Sequence, residues 1–167
     1  MKKLLVFLVS LNLIATEGLT SKLRDFSMIF EVVCVVTKME PSITDDWIAQ
    51  ITQYQIISDD ELQLAMPDAD HGAVFNYNSQ TYFLSFGARS NSYGGRFCSI
   101  AIVDGEHSDM ELLVKNDFQT FKLEDETKIG SSQVTLYRGW LPGFKEDIGM
   151  GIQSAPGASV LSIFVAD

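Results

Sequence analysis

Residues 74–86, VFNYNSQTYFLSF, hold two runs rich in aromatic and β-branched residues on either side of Asn78-Ser79-Gln80. Two such runs joined by a short polar turn are typical of a β-hairpin. Arg96–Val103 follows after one polar loop and predicts a third strand. Because short hairpin connections join antiparallel neighbours, this stretch predicts an antiparallel sheet.

A helix is predicted before the sheet, over residues 21–39. Its apolar residues recur at spacings of three and four, as on one face of a helix: Leu23, Phe26, Phe30 and Val33. Pro41 prevents the helix from continuing, because proline lacks an N–H group and disfavours helix in the preceding residue. The β-branched run Val32–Val36 is also compatible with a strand.

A second helix is predicted to begin at Ser42, which is a favourable N-cap residue. Its apolar stripe consists of Ile43, Trp47, Ile51 and Tyr54. We therefore expect Trp47 to be a core anchor and not a platform for a ligand.

The remaining chain adds more strands and one more helix. The alternation in Glu61–Met66 predicts a half-buried strand. Ser108-Asp109-Met110-Glu111 has the form of a capping box before a helix. A polar stretch, Glu124–Ser132, leads to three predicted strands that begin at Val134, Gly149 and Ser159. The order predicts an α+β fold: an antiparallel sheet of five to seven strands with two or three helices packed on one face.

The N-terminus has the pattern of a secretory signal peptide. Met1–Lys3 is basic, Leu4–Ala15 is mostly apolar, and small residues lead to a cleavage site after Gly18, with a cut near Ala15 as an alternative. A buried N-terminal helix is the competing interpretation. We predict a signal peptide over residues 1–18 and a single globular α+β domain over residues 19–167, located in the periplasm or secreted. No further apolar segment is long enough to span a membrane after processing.

The formal charge of the chain is −10, and removal of residues 1–18 takes away two lysines and one glutamate, which makes it −11. Such a charge repels nucleic acid and anionic lipid headgroups. It favours a cationic protein as partner, or it keeps the domain in solution. The sequence does not indicate an oligomeric state.

Two cysteines, Cys34 and Cys98, predict a disulfide in an exported chain. In the strand Arg96–Val103, Cys98 shares a face with Ile100 and Ile102, which points it toward the core where the helix carrying Cys34 should pack. Two buried free thiols, or one reactive thiol, are the alternatives.

Chemistry-bearing motifs are scarce. His71 and His107 both lie in acidic turns, and a metal site shared between them is an alternative to two solvated turns. The acidic residues do not follow an EF-hand pattern, and no Gly-x-Ser-x-Gly motif occurs. We predict no catalytic residue, no metal and no cofactor. An enzyme of hydrolase type, with a dispersed site around the two histidines, is the alternative.

The loop between Arg89 and Arg96 has the Tyr, Ser, Asn and Gly composition of adaptable recognition loops. We select Arg89, Ser92, Tyr93 and Arg96 as candidate binding residues, although an ordinary hairpin loop has a similar composition. The loop resembles the Ser/Gly/Tyr loop of bacterial periplasmic lysozyme inhibitors, but it lacks their Ser-Gly pair. That resemblance implies an inhibitor or immunity-type protein acting on a cationic envelope enzyme.

A broader resemblance rests on the Val33-Cys34 step in the first helix and on Arg96–Ser99, which reads RFCS. With the signal peptide, these features are similar to small exported two-cysteine proteins of proteobacteria. The resemblance implies a disulfide between helix and sheet, and it carries over no catalytic residue. The expected function is that of an exported, non-catalytic binding or interaction domain.

Overall fold

The computed structural model of the chain describes residues 20–51, 53–65, 68–87 and 95–165. Within these ranges, one antiparallel sheet has eight strands in the order β1-β2-β3-β4-β8-β7-β6-β5. The strands are β1 Tyr54–Ile56, β2 His71–Tyr77, β3 Gln80–Gly87, β4 Phe97–Val103, β5 Lys122–Ile129, β6 Ser132–Gly139, β7 Ile148–Ala155 and β8 Ala158–Val165. The helices are α1 Ser21–Phe30, α2 Pro41–Ile51, α3 Asp59–Ala65 and α4 His107–Asp117.

The predicted α+β class and the antiparallel sheet are confirmed, but the sheet has eight strands and not five to seven. Two of the eight strands are not predicted: β1, which begins at Tyr54, a residue of the stripe predicted for the second helix, and β5, most of which falls in the polar stretch Glu124–Ser132. Every side chain of β5 is exposed, so the strand has no buried face that could produce an alternating pattern.

The main core lies between the sheet and three of the helices, on the side that we call the front face. Cys98, Ile100 and Ile102 of β4 point into this core, as predicted, and are fully buried. Phe26 of α1 and Leu113 of α4 pack in the same cluster. The front face therefore follows the alternation that the sequence analysis identified in β4.

α3 lies on the other side of the sheet, which we call the back face, so the prediction that the helices pack on one face was wrong. Leu62 of α3 packs beside Gly72 of β2, where a Cβ atom on the glycine would come within 2.7 Å of the leucine side chain. Leu62 forms a second apolar cluster with Ala69 and Phe97.

The prediction of a strand over Glu61–Met66 was also wrong, because this segment contains most of α3. Ser58 and Glu61 form the capping interaction that starts the helix: the Ser58 backbone N–H and its hydroxyl both donate to Glu61 Oε2, at 3.2 and 2.7 Å. A Ser-x-x-Glu pair of this kind is a helix-start signal, and the apparent alternation of the next residues masked it.

The first predicted helix begins at Ser21, where the Thr20 hydroxyl accepts from the Leu23 N–H group at 3.3 Å. It is α-helical only to Phe30 and continues as a π-helix over Glu31–Val36. This second segment is the valine-rich run, whose branched Cβ atoms crowd the turns of an α-helix.

The second predicted helix is present, but its buried stripe differs from the predicted one. Trp47 is 41% exposed and Ile43 is 46% exposed, so Trp47 is not a core anchor. Thr44 and Ile48 are fully buried in their place. Thr44 tolerates burial because its hydroxyl donates to the Val33 carbonyl at 3.1 Å.

The predicted hairpin is confirmed, with β2 and β3 paired from His71 to Phe86. Its turn residues, Asn78 and Ser79, have φ angles of 47° and 63°. Positive φ at both central positions defines the type I′ turn, whose twist suits two antiparallel strands.

Candidate functional site

The Cys34–Cys98 disulfide is present, as predicted, with Cα atoms 5.5 Å apart and both residues fully buried. It joins the π-helical segment after α1 to β4, a central strand of the sheet. Neither sulfur is available as a nucleophile, since both are oxidised and inaccessible. The disulfide is therefore a structural link.

Of the four candidate binding residues, Arg89, Ser92 and Tyr93 lie outside the described residues. Arg96 is at the start of β4, and its guanidinium lies 3.6 Å from Glu40 Oε1 at the surface. Its backbone carbonyl accepts from the Val165 N–H group at 2.9 Å. Arg96 thus ties the end of the loop to the end of β8, while the exposed ion pair contributes little to stability.

The two histidines lie far apart along the sheet and do not share a site. His71 is at the start of β2, and its Nε2 atom lies 3.1 Å from Asp45 Oδ1 of α2. Within the described ranges, His, Cys, Asp and Glu side chains do not form a group of three that could hold a metal ion. The pair is therefore a link between α2 and the sheet.

His107, the first residue of α4, is the centre of a buried polar network. Its Nδ1 atom lies 2.9 Å from Ser154 Oγ, and its Nε2 atom lies 2.8 Å from Thr135 Oγ1. Ser154 Oγ lies 2.8 Å from Ser159 Oγ, which donates to the Gly105 carbonyl at 2.7 Å. The network joins α4 to β6, β7 and β8, and sequence reasoning missed it because its members are distant along the chain.

The Gly105 carbonyl sets the direction of every hydrogen bond in this network. A carbonyl only accepts, so the Ser159 hydroxyl hydrogen points to Gly105, and Ser159 accepts from Ser154. Ser154 has then used its one hydrogen and must accept from the Nδ1–H group of His107. The neutral imidazole therefore carries its hydrogen on Nδ1, and its Nε2 atom accepts from Thr135.

This direction decides what the His107 network can do chemically. A histidine that activates a serine nucleophile must accept the serine hydrogen. Here His107 donates to Ser154, so the pair is arranged for structure and not for proton removal. Glu111, whose Oε1 atom lies 3.8 Å from Nε2 of His107, adds a carboxylate one helical turn away.

A cleft of about 370 Å³ opens above this network, where the β4–α4 connection, the β5–β6 hairpin and the β7–β8 turn meet. Its charged lining residues are Asp104, Glu106 and Lys128. The volume is at the lower end of the range for small-molecule sites. Both ring nitrogens of His107 already have hydrogen-bond partners within the protein. The groups that the cleft offers to a ligand are therefore mainly its charged side chains.

The back face of the sheet carries three rows of side chains that run across the strands. The strand registers place them in order: the apolar row Val74, Phe83, Ala101, Val160, Gln153 and Val134; the small-residue row Gly72, Ser85, Ser99, Ser162, Gly151 and Leu136; and the aromatic row Gly87, Phe97, Phe164, Gly149 and Arg138. Phe83 is 36% exposed, and Val74, Val160 and Phe164 are partly exposed. The back face therefore presents apolar side chains to solvent.

The small-residue row lies between the apolar and aromatic rows. Its Ser99 and Ser162 side chains are buried and lie side by side, with their hydroxyl oxygens 2.7 Å apart. In the aromatic row the Phe164 ring lies over Gly149, where a Cβ atom would come within 1.9 Å of the ring. A side chain at position 149 would displace this ring, so the glycine is required there.

One signal of this surface was visible in the sequence. The alternation in β4 places Phe97, Ser99 and Ala101 on the face opposite Cys98. A strand with apolar or small residues on both faces is typical of a sheet covered on both sides. The neighbours of these residues on β3, β8 and β7 follow only from the register.

Searches against protein-family models, curated proteins and solved structures found no match for this chain. No helix within the described ranges is long and apolar enough to cross a membrane.

Proposed function

We propose that the processed chain is an exported, non-catalytic binding domain for a cationic protein, and that the back face is its binding surface. The observation that carries this proposal is the apolar row, in which Phe83 is 36% exposed beside partly exposed Val74, while Val160 is partly exposed on the far side of buried Ala101. Covering such side chains is favourable by about 25 cal/mol for each Å² of apolar surface removed from water. Contiguous exposed apolar patches on a folded domain mark interaction sites.

The charge around the back face supports a cationic partner. Asp59, Asp60 and Glu61 form the exposed first turn of α3, on the same side of the sheet. Asp125 of β5 pairs with Leu136, the last residue of the small-residue row. Carboxylates thus stand at both ends of the small-residue row, and they would steer and orient a basic protein.

Export to the periplasm or the medium is part of the same proposal. An intramolecular disulfide between Cys34 and Cys98 is compatible with an oxidising compartment. The resemblance to small exported two-cysteine proteins belongs to this proposal as well.

The loop between β3 and β4 is included in the proposal. It carries Arg89, Ser92 and Tyr93 and ends at Arg96, and the strands that it joins contribute Phe83 and Ala101 to the apolar row. Tyrosine gives a large contact area at a small entropy cost. We propose that these loop residues contact the same partner.

Two other functions remain as alternatives. A hydrolase-like enzyme would use the cleft above His107, but the direction of hydrogen bonding from His107 to Ser154 disfavours it. An inhibitor or immunity-type protein acting on a cationic envelope enzyme is a special case of the proposed binding function. Inhibition of a purified lysozyme by the processed domain tests that special case.

Photo-crosslinking in the native envelope tests the proposal directly. A photoreactive phenylalanine analogue is placed at Phe83, and the matched control carries it at Leu112, which is equally exposed at 37% but lies on α4 at the opposite side of the sheet. We expect position 83 to yield an adduct with one basic protein that position 112 does not yield. Mass spectrometry identifies the adduct.

An adduct with a second copy of the chain, with an acidic protein, or at both positions equally would contradict the proposal. So would the absence of any adduct at position 83 in folded, disulfide-bonded protein.

A further inference from the structure

We infer that the exposed face of α2 is a second binding surface, on which an arginine-bearing segment of a protein stacks against Trp47. The helix packs on the front face of the sheet through the buried Ile48. Its exposed face is therefore separate from the back face, and it does not depend on the proposed function of that face.

Four residues of α2 form one solvent-exposed face. Ile43, Asp46, Trp47 and Gln50 occupy positions i, i+3, i+4 and i+7, which lie on one side of a helix, and all four are exposed. Ile43 is 46% exposed and Trp47 is 41% exposed. Because residues four apart on a helix are neighbours, the isoleucine and the indole form an apolar strip beside the polar pair of Asp46 and Gln50.

The exposure of Trp47 follows from the way in which α2 is anchored. The buried Thr44 hydroxyl donates to the Val33 carbonyl at 3.1 Å, and Asp45 Oδ1 lies 3.1 Å from Nε2 of His71. These contacts fix the rotation of the helix about its axis, and Trp47 then faces solvent. The prediction that Trp47 is not a platform for a ligand assumed a buried ring, and the observed rotation removes that assumption.

The charge around α2 selects a cationic occupant. Residues 39–88 form α2, β1, α3, β2 and β3, and they contain no lysine or arginine. Their formal charge is −8, out of −10 for the whole chain, and it comes from Glu40, Asp45, Asp46, Asp59, Asp60, Glu61, Asp68 and Asp70. The β1 edge of the sheet thus carries most of the negative charge, which would attract and orient a basic segment.

Asp46 is the carboxylate of this face that is free to bind such a segment. Glu40, just before α2, lies 3.6 Å from the Arg96 guanidinium, and Asp45 is held by His71. Among the residues that the structure describes, Asp46 forms no ion pair. An incoming cation would therefore not have to displace a partner from Asp46.

Arginine suits this combination of side chains better than lysine does. Its guanidinium is planar, stacks on aromatic rings and donates to carboxylates through a fixed fork of N–H groups. Tryptophan is the aromatic side chain that attracts a cation most strongly. An arginine on this face would stack on Trp47, donate to Asp46 and cover Ile43 with its aliphatic stem.

Three synthetic octapeptides provide the test. Octaarginine carries the guanidinium, octalysine has the same charge without the planar group, and octacitrulline has a similar planar group without the charge. We expect octaarginine to bind the exported, disulfide-bonded protein at least about threefold more tightly than octalysine and at least about tenfold more tightly than octacitrulline. Isothermal titration calorimetry measures the three affinities.

Variants at the two tryptophans locate the binding. Trp47→Leu keeps an apolar side chain but removes the aromatic ring, and it should weaken octaarginine binding at least about threefold. Trp140→Leu is the matched control, because Trp140 is also exposed, at 51%, but follows β6. It should leave the affinity unchanged. It also leaves Trp47 as the sole tryptophan, whose fluorescence should change when octaarginine binds.

A pair of charge variants separates the local carboxylate from the net charge. Asp46→Asn and Asp147→Asn remove the same charge from two exposed positions, and Asp147 lies between β6 and β7. Asp46→Asn should weaken octaarginine binding more than Asp147→Asn does. All four positions are exposed, so the variants should fold, which circular dichroism checks.

Unchanged binding to folded Trp47→Leu, equal losses in the two charge variants, or equal binding of octaarginine and octalysine would overturn the inference. Self-association of the protein that Trp47→Leu abolishes would also overturn it, because the face would then bind a second copy of the chain. None of these results bears on the crosslink from Phe83, which lies on the other side of the sheet, so the proposed function is tested separately.

Discussion

At the scale of single residues, His107 shows how a backbone carbonyl that does not contact the imidazole ring can set its tautomer through intervening hydroxyl groups. Three hydrogen bonds connect the Gly105 carbonyl to the His107 ring, through the hydroxyls of Ser159 and Ser154. Because each hydroxyl has only one hydrogen to donate, Ser159 donates to Gly105 and Ser154 donates to Ser159. Ser154 must then accept from the Nδ1–H group of His107.

Removal of the Ser159 hydroxyl should reverse the tautomer. In Ser159→Ala, Ser154 loses its acceptor and is free to donate to Nδ1, so the neutral ring should carry its hydrogen on Nε2 and donate to Thr135. Long-range ¹⁵N–¹H correlation spectra of the neutral imidazole distinguish the two forms. An Nε2–H ring in the unaltered protein would contradict the assigned direction.

Two tyrosines are held protonated by their surroundings. Burial, with smaller effects from Asp25 and Tyr77, raises the pKa of Tyr82 to about 12. Burial, with smaller effects from Glu111 and Glu126, raises the pKa of Tyr137 to about 12. Both hydroxyls ionise near pH 10 in an unfolded chain.

These pKa values predict a loss of stability in alkaline solution. Below pH 10 both states bind the proton, and the stabilisation is fully present. Between about pH 10 and 12 the unfolded chain releases protons that the folded chain retains, so the free energy of unfolding falls by about 1.4 kcal/mol per pH unit for each tyrosine.

Urea unfolding between pH 9 and 12 measures this fall, and the double variant Tyr82→Phe/Tyr137→Phe isolates the two tyrosines from the lysines that titrate in the same range. The double variant should lose stability less steeply. Parallel curves for the two proteins would show that the tyrosines do not contribute.

At the scale of elements, the disulfide is the strongest single constraint between the helices and the sheet. It closes a loop with a sequence separation of 64 residues. In the chain-entropy model, such a closure stabilises the folded state by about 4 kcal/mol, because it restricts the unfolded chain.

Cys34→Ala/Cys98→Ala should therefore lower the free energy of unfolding by about 4 kcal/mol, the amount expected from the entropy of the closed loop. Urea unfolding measures the difference, and the oxidised parent should be two hydrogens lighter than its reduced form by mass spectrometry. Two titratable thiols in the folded, exported parent would show that the link does not form.

The elements differ in how well the sequence predicted them. The β2–β3 hairpin and β4 were predicted because their segments are rich in apolar, aromatic and β-branched residues and are bounded by polar turns. α3 was mistaken for a strand because seven residues are too few to establish a helical period, and its Ser58–Glu61 cap was the better signal. β5 was missed because neither of its faces is buried.

At the scale of the whole molecule, the formal charge, −10 for the whole chain and −11 if the proposed signal peptide is removed, should govern the rate of association with a basic partner. The screening length falls from about 30 Å at 0.01 M salt to about 8 Å at 0.15 M. We therefore expect the association rate with the captured basic protein to fall as salt is added, as measured by stopped flow.

In the same measurement, Tyr93→Ala should weaken binding by more than about 1 kcal/mol, as a contact residue would, and should leave the unfolding free energy nearly unchanged. A rate that is independent of salt, with equal affinity for Tyr93→Ala, would assign the acidic surface to solubility alone and remove the loop from the binding surface.

The sequence by itself determined the features that depend on neighbours along the chain. These are the hairpin with its Asn78-Ser79 turn, the α+β class, and the faces of β4 that pair Cys98 with Cys34. Each follows from a turn or from a repeating pattern of apolar residues within about ten residues of the chain.

The tertiary structure alone decided the features that depend on register between distant strands. The hydrogen bond between Ser99 and Ser162 requires β4 and β8 to pair in one register, and the His107 network requires β6, β7 and β8 to align with the start of α4. It also decided that α2 buries Thr44 in place of Trp47, through a carbonyl on another helix. A shift of one residue in the pairing of two strands would reverse their faces, and no local pattern specifies which residues of two distant strands become neighbours.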